Sequence, residues 1–359
     1  MEKYAILHAY SADNLGDGLL VDAAVSIVRD AFGTESDITL ASSYPSSFEY
    51  LGVKLVCTQP GLTGYDPAYT RFLRSLDEYS LIVGVGGGYL RAGHLTELLK
   101  AGLVHGPQLY FAGKSTAPSI YLPQSVGPLR LRTRRLVERL MSRLSLVYLR
   151  DDRSVAEVAE AAPRRWPDMA LLQSGATPFP PRDVEAVPVV SVRHVRGRLP
   201  QPVVALTRIL DEFDGYVQST VGSNNDLRAV EECLPSRILP REELLNPQRE
   251  KSRVVVAMRL HAALMSLEAG HFVIHLAYER KGFGAFADLG LDEYVHNVNS
   301  FDPEMIAQQV HTLLTSEEER RRYAARVSAA RAGFAETREH LVEEMRRARV
   351  RGQSQHGAP

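Results

Sequence analysis

The chain alternates short apolar segments with stretches of helical spacing, and this alternation restricts its fold more than any other feature. In the first half, Leu19–Phe32 and Arg130–Arg143 have helical spacing. The strand-like segments between and around them are Tyr4–Ala9, Ile38–Ala41, Val53–Cys57, Leu81–Val85, Ser119–Pro123 and Leu146–Leu149. Such a β/α alternation predicts a parallel sheet covered by helices on both faces.

A second β/α series follows a proline-rich break. The segment Gln173–Pro188 contains four prolines and a glycine, so we interpret it as an interdomain linker. The elements predicted after it are the strands Val189–Val192, Gly215–Gln218, Val254–Met258 and Phe272–Ala277, and the helices Asp226–Cys233, Pro303–Leu314 and Glu317–Arg347. We expect Ala348–Pro359 to be frayed or disordered.

This organisation predicts an α/β protein with two doubly wound, Rossmann-like domains facing a cleft. The predicted boundaries are 1–172 for the N-terminal domain, 173–188 for the linker, 189–316 for the C-terminal domain and 317–359 for a charged helix and tail. In such folds, ligands bind beyond the carboxyl ends of the strands. Candidate functional residues are therefore sought in the loops that follow the predicted strands.

Composition excludes several classes of function. The net charge of −1 gives no global field to attract nucleic acid or an anionic membrane. Cys57 and Cys233 are the two cysteines, and they form no CxxC or other metal-binding spacing. The sequence lacks a signal-peptide pattern and an apolar run of transmembrane length. We expect a cytoplasmic protein with no transmembrane segment, no nucleic-acid partner and no metal; the oligomeric state stays open.

The stretch Val254–Gly284 is the strongest candidate for a ligand site. Arg259 and His261 follow one predicted strand, and Lys281 follows the next. The helix that begins near Leu260 also points its positive dipole end toward this position. The sequence therefore predicts a site for a multiply charged, phosphorylated small molecule, with a structural role for His261 as the alternative.

Three further candidates follow strands of the first half. Asn14-Leu15-Gly16-Asp17 indicates a ligand loop, or an Asx turn with Asp17 as the helix N-cap. Gly86-Gly87-Gly88 indicates a turn with positive φ or room for a ligand, and it does not match the dinucleotide fingerprint. Gln124 at a strand end indicates a polar group at the crevice, with an ordinary Gly-Pro turn as the alternative.

Two charged positions complete the candidates. Arg150 follows the predicted strand Leu146–Leu149 and could clamp a carboxylate or phosphate with paired hydrogen bonds. The alternative is a salt bridge for Arg150, with Asp151 or Asp152 capping the next helix. Asp168 offers another carboxylate, for which a structural role is equally open.

Together these segments resemble the polysaccharide pyruvyl transferase family over about residues 4–315. The matching residues occur in family order: Asn14-Leu15-Gly16-Asp17; Gly86-Gly87-Gly88; Pro123-Gln124-Ser125-Val126-Gly127-Pro128; Arg150-Asp151 with Ser154; Pro167-Asp168; Ser191-Val192-Arg193; Arg259-Leu260-His261; and Tyr278 with Lys281. Each motif is weak alone, but eight in order are fairly specific.

The resemblance implies a fold similar to B-type glycosyltransferases, with phosphoenolpyruvate as donor and a sugar diol as acceptor. It implies no cofactor, because phosphoenolpyruvate is a co-substrate. The expected product is a cyclic pyruvate ketal. The acceptor is a sugar or glycan-like molecule, and lipid-linked and small natural-product acceptors both stay open. On this reading the first domain is the acceptor side and the second is the phosphoenolpyruvate side.

The residue roles follow from the same resemblance. The expected donor-binding residues are Arg150, Arg259, His261 and Lys281. The expected acceptor-side residues are Asn14, Gly16, Asp17, Gly87, Gly88 and Gln124. The residue types make His261 the candidate proton donor, with Asp17 or Asp168 as the base. Two alternatives remain at this stage, a nucleotide-sugar glycosyltransferase of the same fold and a non-catalytic binding subunit.

Overall fold

The computed structural model describes residues 2–62, 64–93, 95–173, 177–180, 182–220 and 225–356. The chain forms two compact units. The first consists of Met1–Gln173 with Glu336–Pro359, and the second consists of Ser174–Ala335. The long C-terminal helix therefore contributes residues to each unit instead of forming a separate one.

The first unit is built on a seven-stranded parallel sheet and a separate two-stranded ladder. Its strands are β1 (Lys3–Ala9), β2 (Asp37–Ser42), β3 (Lys54–Cys57), β4 (Leu81–Gly84), β5 (Leu90–Ala92), β6 (Ser119–Gln124), β7 (Val126–Leu129), β8 (Leu146–Leu149) and β9 (Arg164–Arg165). The sheet order is β3-β2-β1-β4-β6-β8-β9, and β5 pairs with β7. The strand order reverses between β1 and β4, which is where doubly wound sheets bind ligands.

Helices connect these strands. They are α1 (Leu15–Phe32), α2 (Pro67–Arg74), α3 (Leu95–Lys100), α4 (Gly106–Ala112), α5 (Leu131–Met141) and α6 (Asp152–Glu157), with a π-helical turn at Ala101–His105. The helix α1 begins four residues before the predicted start at Leu19. Its first turn contains Gly16 and Gly18, which weaken the sequence signal for a helix. A Cβ at Gly18 would lie 3.2 Å from Cα of Ala12, so a small residue lets this turn pack closely.

The second unit is a six-stranded parallel sheet. Its strands are β10 (Val189–Ser191), β11 (Asp214–Tyr216), β12 (Ile238–Leu239), β13 (Val254–Ala257), β14 (Phe272–Ala277) and β15 (Val295–Asn297), in the order β12-β11-β10-β13-β14-β15. Its helices are α7 (Gln201–Ile209), α8 (Leu227–Glu231), α9 (Arg241–Leu244), α10 (Leu260–Glu268), α11 (Arg280–Asp288), α12 (Pro303–Thr315) and α13 (Glu317–His356), the last of which continues into the first unit. Here the order reverses between β10 and β13.

The described part of the proline-rich segment packs on the second unit. Phe179 is buried, with its ring centroid 5.6 Å from that of Phe272 and 6.0 Å from that of Tyr323. Farther along, Glu185 accepts a hydrogen bond of 2.7 Å from Nη1 of Arg253. Residues 174–176 and 181 of the predicted linker lie outside the described residues.

The expectation of a frayed tail is wrong as far as His356, because α13 continues to that residue. Within the first unit, Nη1 of Arg349 lies 2.7 Å from Oε2 of Glu2. Arg346 donates a hydrogen bond of 3.0 Å to the carbonyl of Ala31. These contacts hold the last turns of the helix; residues 357–359 lie outside the described part of the chain. None of the described helices has both the length and the apolarity needed to cross a membrane.

Candidate functional site

In the first unit, the predicted residues gather beyond the carboxyl ends of four neighbouring strands. The asparagine loop, Asn14-Leu15-Gly16-Asp17, follows β1. Gly86, Gly87 and Gly88 follow β4, Gln124 is the last residue of β6, and Arg150 follows β8. Because β1, β4, β6 and β8 are adjacent and parallel, these residues share one edge of the sheet. This is the edge at which the fold places ligands.

Arg150 is buried and held on two sides. Its Nη1 lies 2.6 Å from Oδ2 of Asp168, and its Nε donates to Oγ of Ser125 at 2.9 Å. Ser125 in turn donates to Oδ2 of Asp151 at 2.8 Å. The Asp151 carboxylate also caps α6, accepting a hydrogen bond from the backbone N–H of Ser154. The structural alternatives for Arg150 and Asp151 are therefore both confirmed.

The third nitrogen of Arg150, Nη2, points toward the triple glycine. A Cβ at Gly88 would lie 3.8 Å from Nη2, and Gly88 itself is exposed. Nη2 meets no hydrogen-bond partner within the described part of the chain. Gly88 thus leaves room for an anion beside Nη2.

The triple glycine does not adopt the positive φ that one of our interpretations required. None of Gly86, Gly87 and Gly88 is in the left-handed region. A Cβ at Gly86 would lie 2.6 Å from the carbonyl oxygen of Pro123, which only glycine permits. Close backbone approach, and open space at Gly88, account for these residues better than turn geometry.

A buried cluster around His8 lies at the same edge and was missed by the sequence analysis. His8 is near the end of β1 with a φ of 72°, and its Nε2 lies 2.8 Å from the hydroxyl of Tyr121. Its Nδ1 lies 3.2 Å from Nδ1 of His105, and its ring stacks on Tyr89 with centroids 4.5 Å apart. Burial lowers the pKa of His8 well below its usual value, and the nearby His105 lowers it further. A histidine within an otherwise apolar strand was the available signal.

Gln124 is completely buried beside this cluster. Neither its amide nitrogen nor its amide oxygen meets a hydrogen-bond partner of good geometry in the described ranges. Burial raises the pKa of Tyr89 well above its usual value, and the neighbouring Gln124 amide lowers it in part. Buried amides without good partners are rare, so Gln124 is a candidate for contact with a bound molecule.

The loop after β1 carries the last predicted group of this unit. Asn14 occupies the N-cap position of α1, and its Nδ2 donates to Oδ2 of Asp17 at 2.7 Å. The alternative that Asp17 caps the helix is therefore wrong. Asp17 lies in the first turn of α1 and is half-buried, whereas Gly16 is buried.

In the second unit, three neighbouring strands end in residues of the predicted site. Arg193, Arg259 and Tyr278 follow β10, β13 and β14. Nη1 of Arg193 donates to the hydroxyl of Tyr278 at 3.2 Å, and its guanidinium lies 5.3 Å from the centre of that ring. Arg259 forms a paired contact with Asp226, with Nε to Oδ2 at 2.5 Å and Nη2 to Oδ1 at 2.7 Å. Asp226 lies far from Arg259 in sequence and was not predicted.

His261 and Lys281 are the second residues of α10 and α11. Both are half-buried, and each lies in the first turn of a helix, where backbone N–H groups favour an anion. Nζ of Lys281 lies 2.9 Å from Oε2 of Glu279. The next residue, Gly282, packs against β14, since a Cβ there would lie 2.3 Å from Nε2 of His275.

Each predicted donor-binding cation has its own carboxylate. The pairs are Arg150 with Asp168, Arg259 with Asp226, and Lys281 with Glu279. The carboxylates fix the side chains in place and reduce the positive charge that an anion would meet. Among the described residues, no group of three His, Cys, Asp or Glu side chains is arranged to hold a metal ion.

The two parallel sheets with reversing strand order give the chain an α/β, Rossmann-like fold of the kind found in B-type glycosyltransferases. UDP-GlcNAc 2-epimerase from Neisseria meningitidis has a similar fold, with a TM-score of 0.53 at 13% identity, over 96% of this chain and 99% of that one. The spinosyn forosaminyltransferase SpnP aligns with a TM-score of 0.52 at 14% identity, over 98% of this chain and 99% of that one. The calicheamicin glycosyltransferase aligns with a TM-score of 0.51 at 15% identity, over 98% of this chain and 99% of that one. At these identities the similarity concerns the fold alone.

The chain belongs to the polysaccharide pyruvyl transferase family, whose sequence profile matches residues 14–280. The match includes the asparagine loop, the triple glycine, Arg150, Arg259 and His261, and it ends one residue before Lys281. No curated protein matches the sequence. The predicted family and fold class are thus confirmed, and the roles of individual residues stay predictions.

Proposed function

We propose that this protein transfers the enolpyruvyl group of phosphoenolpyruvate to two hydroxyls of a sugar or glycan-like acceptor. The observation that carries the proposal is Nη2 of Arg150, which faces the space left open by Gly88. The N–H groups of an arginine suit the carboxylate or the phosphate of such a donor. Family membership supports pyruvyl transfer as the reaction for which this anion site is used.

The reaction requires four bond changes at the donor. A proton adds to C3, which converts the methylene group to a methyl group and makes C2 electrophilic. One acceptor hydroxyl adds to C2 and loses its proton. The C2–O bond to phosphate then breaks, the second hydroxyl adds to C2 and loses its proton, and a cyclic ketal and inorganic phosphate result.

The proposed donor contacts are Arg150, Arg259, His261 and Lys281. Arg150 supplies one open nitrogen, Nη2, because Nη1 is held by Asp168 and Nε by Ser125. Arg259 retains its proposed donor role, although Asp226 already engages Nε and Nη2. Lys281 can share its ammonium hydrogens between Glu279 and a phosphate oxygen.

His261 is the proposed proton donor, to C3 or to the leaving phosphate. A base must receive the protons of the acceptor hydroxyls. Of the two predicted candidates, Asp168 is 2% exposed and paired with Arg150, whereas Asp17 is half-buried in the first turn of α1. We therefore favour Asp17 as the base and a positioning role for Asp168.

The acceptor side is assigned to Asn14, Gly16, Asp17, Gly87, Gly88 and Gln124. The unsatisfied amide of Gln124 could pair with a hydroxyl, which both donates and accepts hydrogen bonds. A bacterial cell-wall or capsule sugar is the family expectation, and the proposal places the reaction in the cytoplasm. The scheme uses no metal, so activity should persist after exhaustive chelation; loss with EDTA and recovery with magnesium would contradict this part.

Mass spectrometry of candidate acceptors incubated with phosphoenolpyruvate tests the proposal. We expect the acceptor to gain a pyruvyl ketal, with one equivalent of phosphate released, and the His261→Ala variant to show little product. Transfer of a sugar from a nucleotide sugar, with no reaction of phosphoenolpyruvate, would support the glycosyltransferase alternative instead.

A further inference from the structure

A cavity lies in the first unit, at the amino ends of strands of the seven-stranded sheet. Its volume is about 270 Å³, and it is bordered by Pro118 before β6, Leu146 at the start of β8, and Arg164 at the start of β9. These residues mark the amino ends of the strands, whereas Gln124 and Arg150 mark the carboxyl ends. The last turns of α13 complete the wall.

Three arginines and one carboxylate line this cavity: Arg164, Arg347, Arg351 and Glu344. The carboxylate is already neutralised, because Nη1 of Arg164 lies 2.7 Å from Oε1 and 2.8 Å from Oε2 of Glu344. The hydroxyl of Tyr148 also donates to Glu344. The charges of Arg164 and Glu344 therefore cancel, and Arg347 and Arg351 are the remaining charged residues of the lining.

Arg347 and Arg351 are four residues apart on α13, so their side chains lie on one face of the helix. Like charges at this spacing repel each other. Arg347 is exposed, with Nε 3.1 Å from Oε1 of Glu343. Within the described ranges, Arg351 forms no ion pair or hydrogen bond. The pair thus presents more positive charge to the cavity than the protein offsets.

The floor of the cavity offers a hydroxyl as well. Oγ of Ser145 accepts a hydrogen bond of 3.0 Å from the backbone N–H of Ser119, which leaves the hydroxyl hydrogen available to an acceptor. Asp77 lies beside the lining residue Thr116, and its Oδ1 accepts hydrogen bonds from Ser115 and from the backbone of Thr116.

We propose that this cavity binds a small, multiply charged anion of the phosphate class, such as a phosphate ester or pyrophosphate. Guanidinium groups match the oxygen geometry of phosphates, and those of Arg347 and Arg351 line this cavity together with the hydroxyl of Ser145. The volume lies at the low end for small-molecule sites, which favours a compact anion. Residues Leu146 and Arg150 bracket β8, so the two sites lie on the order of 13 Å apart along the strand.

Isothermal titration calorimetry with inorganic pyrophosphate, at fixed ionic strength, tests this proposal. We expect the Arg347→Ala/Arg351→Ala double variant to bind pyrophosphate at least about tenfold more weakly than the wild type at this site. The matched control is Arg228→Ala/Arg321→Ala, which also removes two exposed arginines, each paired with a glutamate one turn away. The control should keep wild-type affinity.

A variant of the proposed donor site separates the two sites. Lys281→Ala should leave pyrophosphate binding at the cavity in place, and this holds whether or not pyruvyl transfer is observed. Equal weakening in the control variant, unchanged affinity in the double variant, or loss of the cavity's pyrophosphate binding in Lys281→Ala would each overturn the proposal. Arg351→Gln alone, at an exposed residue, provides a second test if the double variant folds poorly.

Discussion

Nη1 of Arg150 lies 2.6 Å from Oδ2 of Asp168, and the two side chains are 3% and 2% exposed. The pair joins the end of β8 to the loop that follows β9. It leaves Nη2 of Arg150 as the one nitrogen directed toward Gly88. The Asp168 carboxylate thus offsets the buried charge of Arg150 and orients its guanidinium group so that Nη2 faces Gly88.

Asp168→Asn should lower the free energy of unfolding by about 3–5 kcal/mol, because it leaves the buried guanidinium of Arg150 without a compensating charge. Urea denaturation measures this change. If Asp168 is also the catalytic base, the folded variant would in addition lose turnover by roughly a factor of 10²–10⁴. Unchanged stability in Asp168→Asn would contradict the positioning role.

Gly88→Ala should leave stability within about 0.5 kcal/mol of the wild type, because the new Cβ would meet Nη2 of Arg150 at an ordinary 3.8 Å. It should weaken phosphoenolpyruvate binding by about tenfold, since it narrows the approach to that nitrogen. Gly86→Ala is a contrasting variant. Its Cβ would lie 2.6 Å from the carbonyl oxygen of Pro123, so its free energy of unfolding should fall. Unchanged donor affinity in Gly88→Ala would remove Nη2 from the donor site.

His261 and Lys281 should differ in the kinetic constant that they affect. Lys281→Ala removes a charge used in both ground and transition states, so KM for phosphoenolpyruvate should rise with little change in kcat. His261→Ala removes a proposed proton donor, so kcat should fall by roughly a factor of 10²–10⁴. Steady-state kinetics measures both constants. A His261→Ala variant with normal kcat and a raised KM would reassign His261 to binding.

His271 should make the protein less stable in mild acid. Its Nδ1 accepts from the backbone N–H of Arg253 at 3.1 Å, and its Nε2 lies 2.6 Å from the carbonyl of Leu244, so the folded protein holds a neutral ring. Burial lowers the pKa of His271 to about 4. The unfolded chain therefore binds more protons between pH 6.5 and 4, and stability should fall by up to about 3 kcal/mol as the pH drops through this range.

Denaturation curves at several pH values check this expectation, with His271→Gln as the comparison. The variant should lose part of the pH dependence, because the glutamine does not titrate. The pKa of His275 is also lowered to about 4 by burial, so some dependence should remain. An identical slope in the variant and the wild type would show that His271 does not contribute.

The sequence predicts the buried strands well, because the run Val254–Ala257 is apolar on both faces and Phe272–Ala277 is apolar except for His275. It misses β9, whose two arginines carry no strand signal. It also misses the helical region 95–112, where Gly102, Gly106 and Pro107 weaken the helical pattern.

The candidate site was also predicted only in part. The loops that carry Arg150, His261 and Lys281 could be predicted, because they come at the ends of apolar strand segments and contain residue types that bind anions. Their carboxylate partners could not all be predicted, because folding brings together residues that are distant in sequence. Asp226 and Arg259, for example, are 33 residues apart. His8 was missed because its contacts with His105 and Tyr121 span about a hundred residues, and local sequence shows only a polar residue in an apolar run.

The most direct test of pyruvyl transfer is the reaction of phosphoenolpyruvate, labelled with ¹⁸O at its bridging oxygen, with an accepted diol in D₂O. Protonation at C3 followed by cleavage of the C2–O bond predicts a ketal with one deuterium in its methyl group and no bridging label. The released phosphate should retain the ¹⁸O. A ketal methyl without deuterium, or phosphate that lacks the bridging label, would contradict the account.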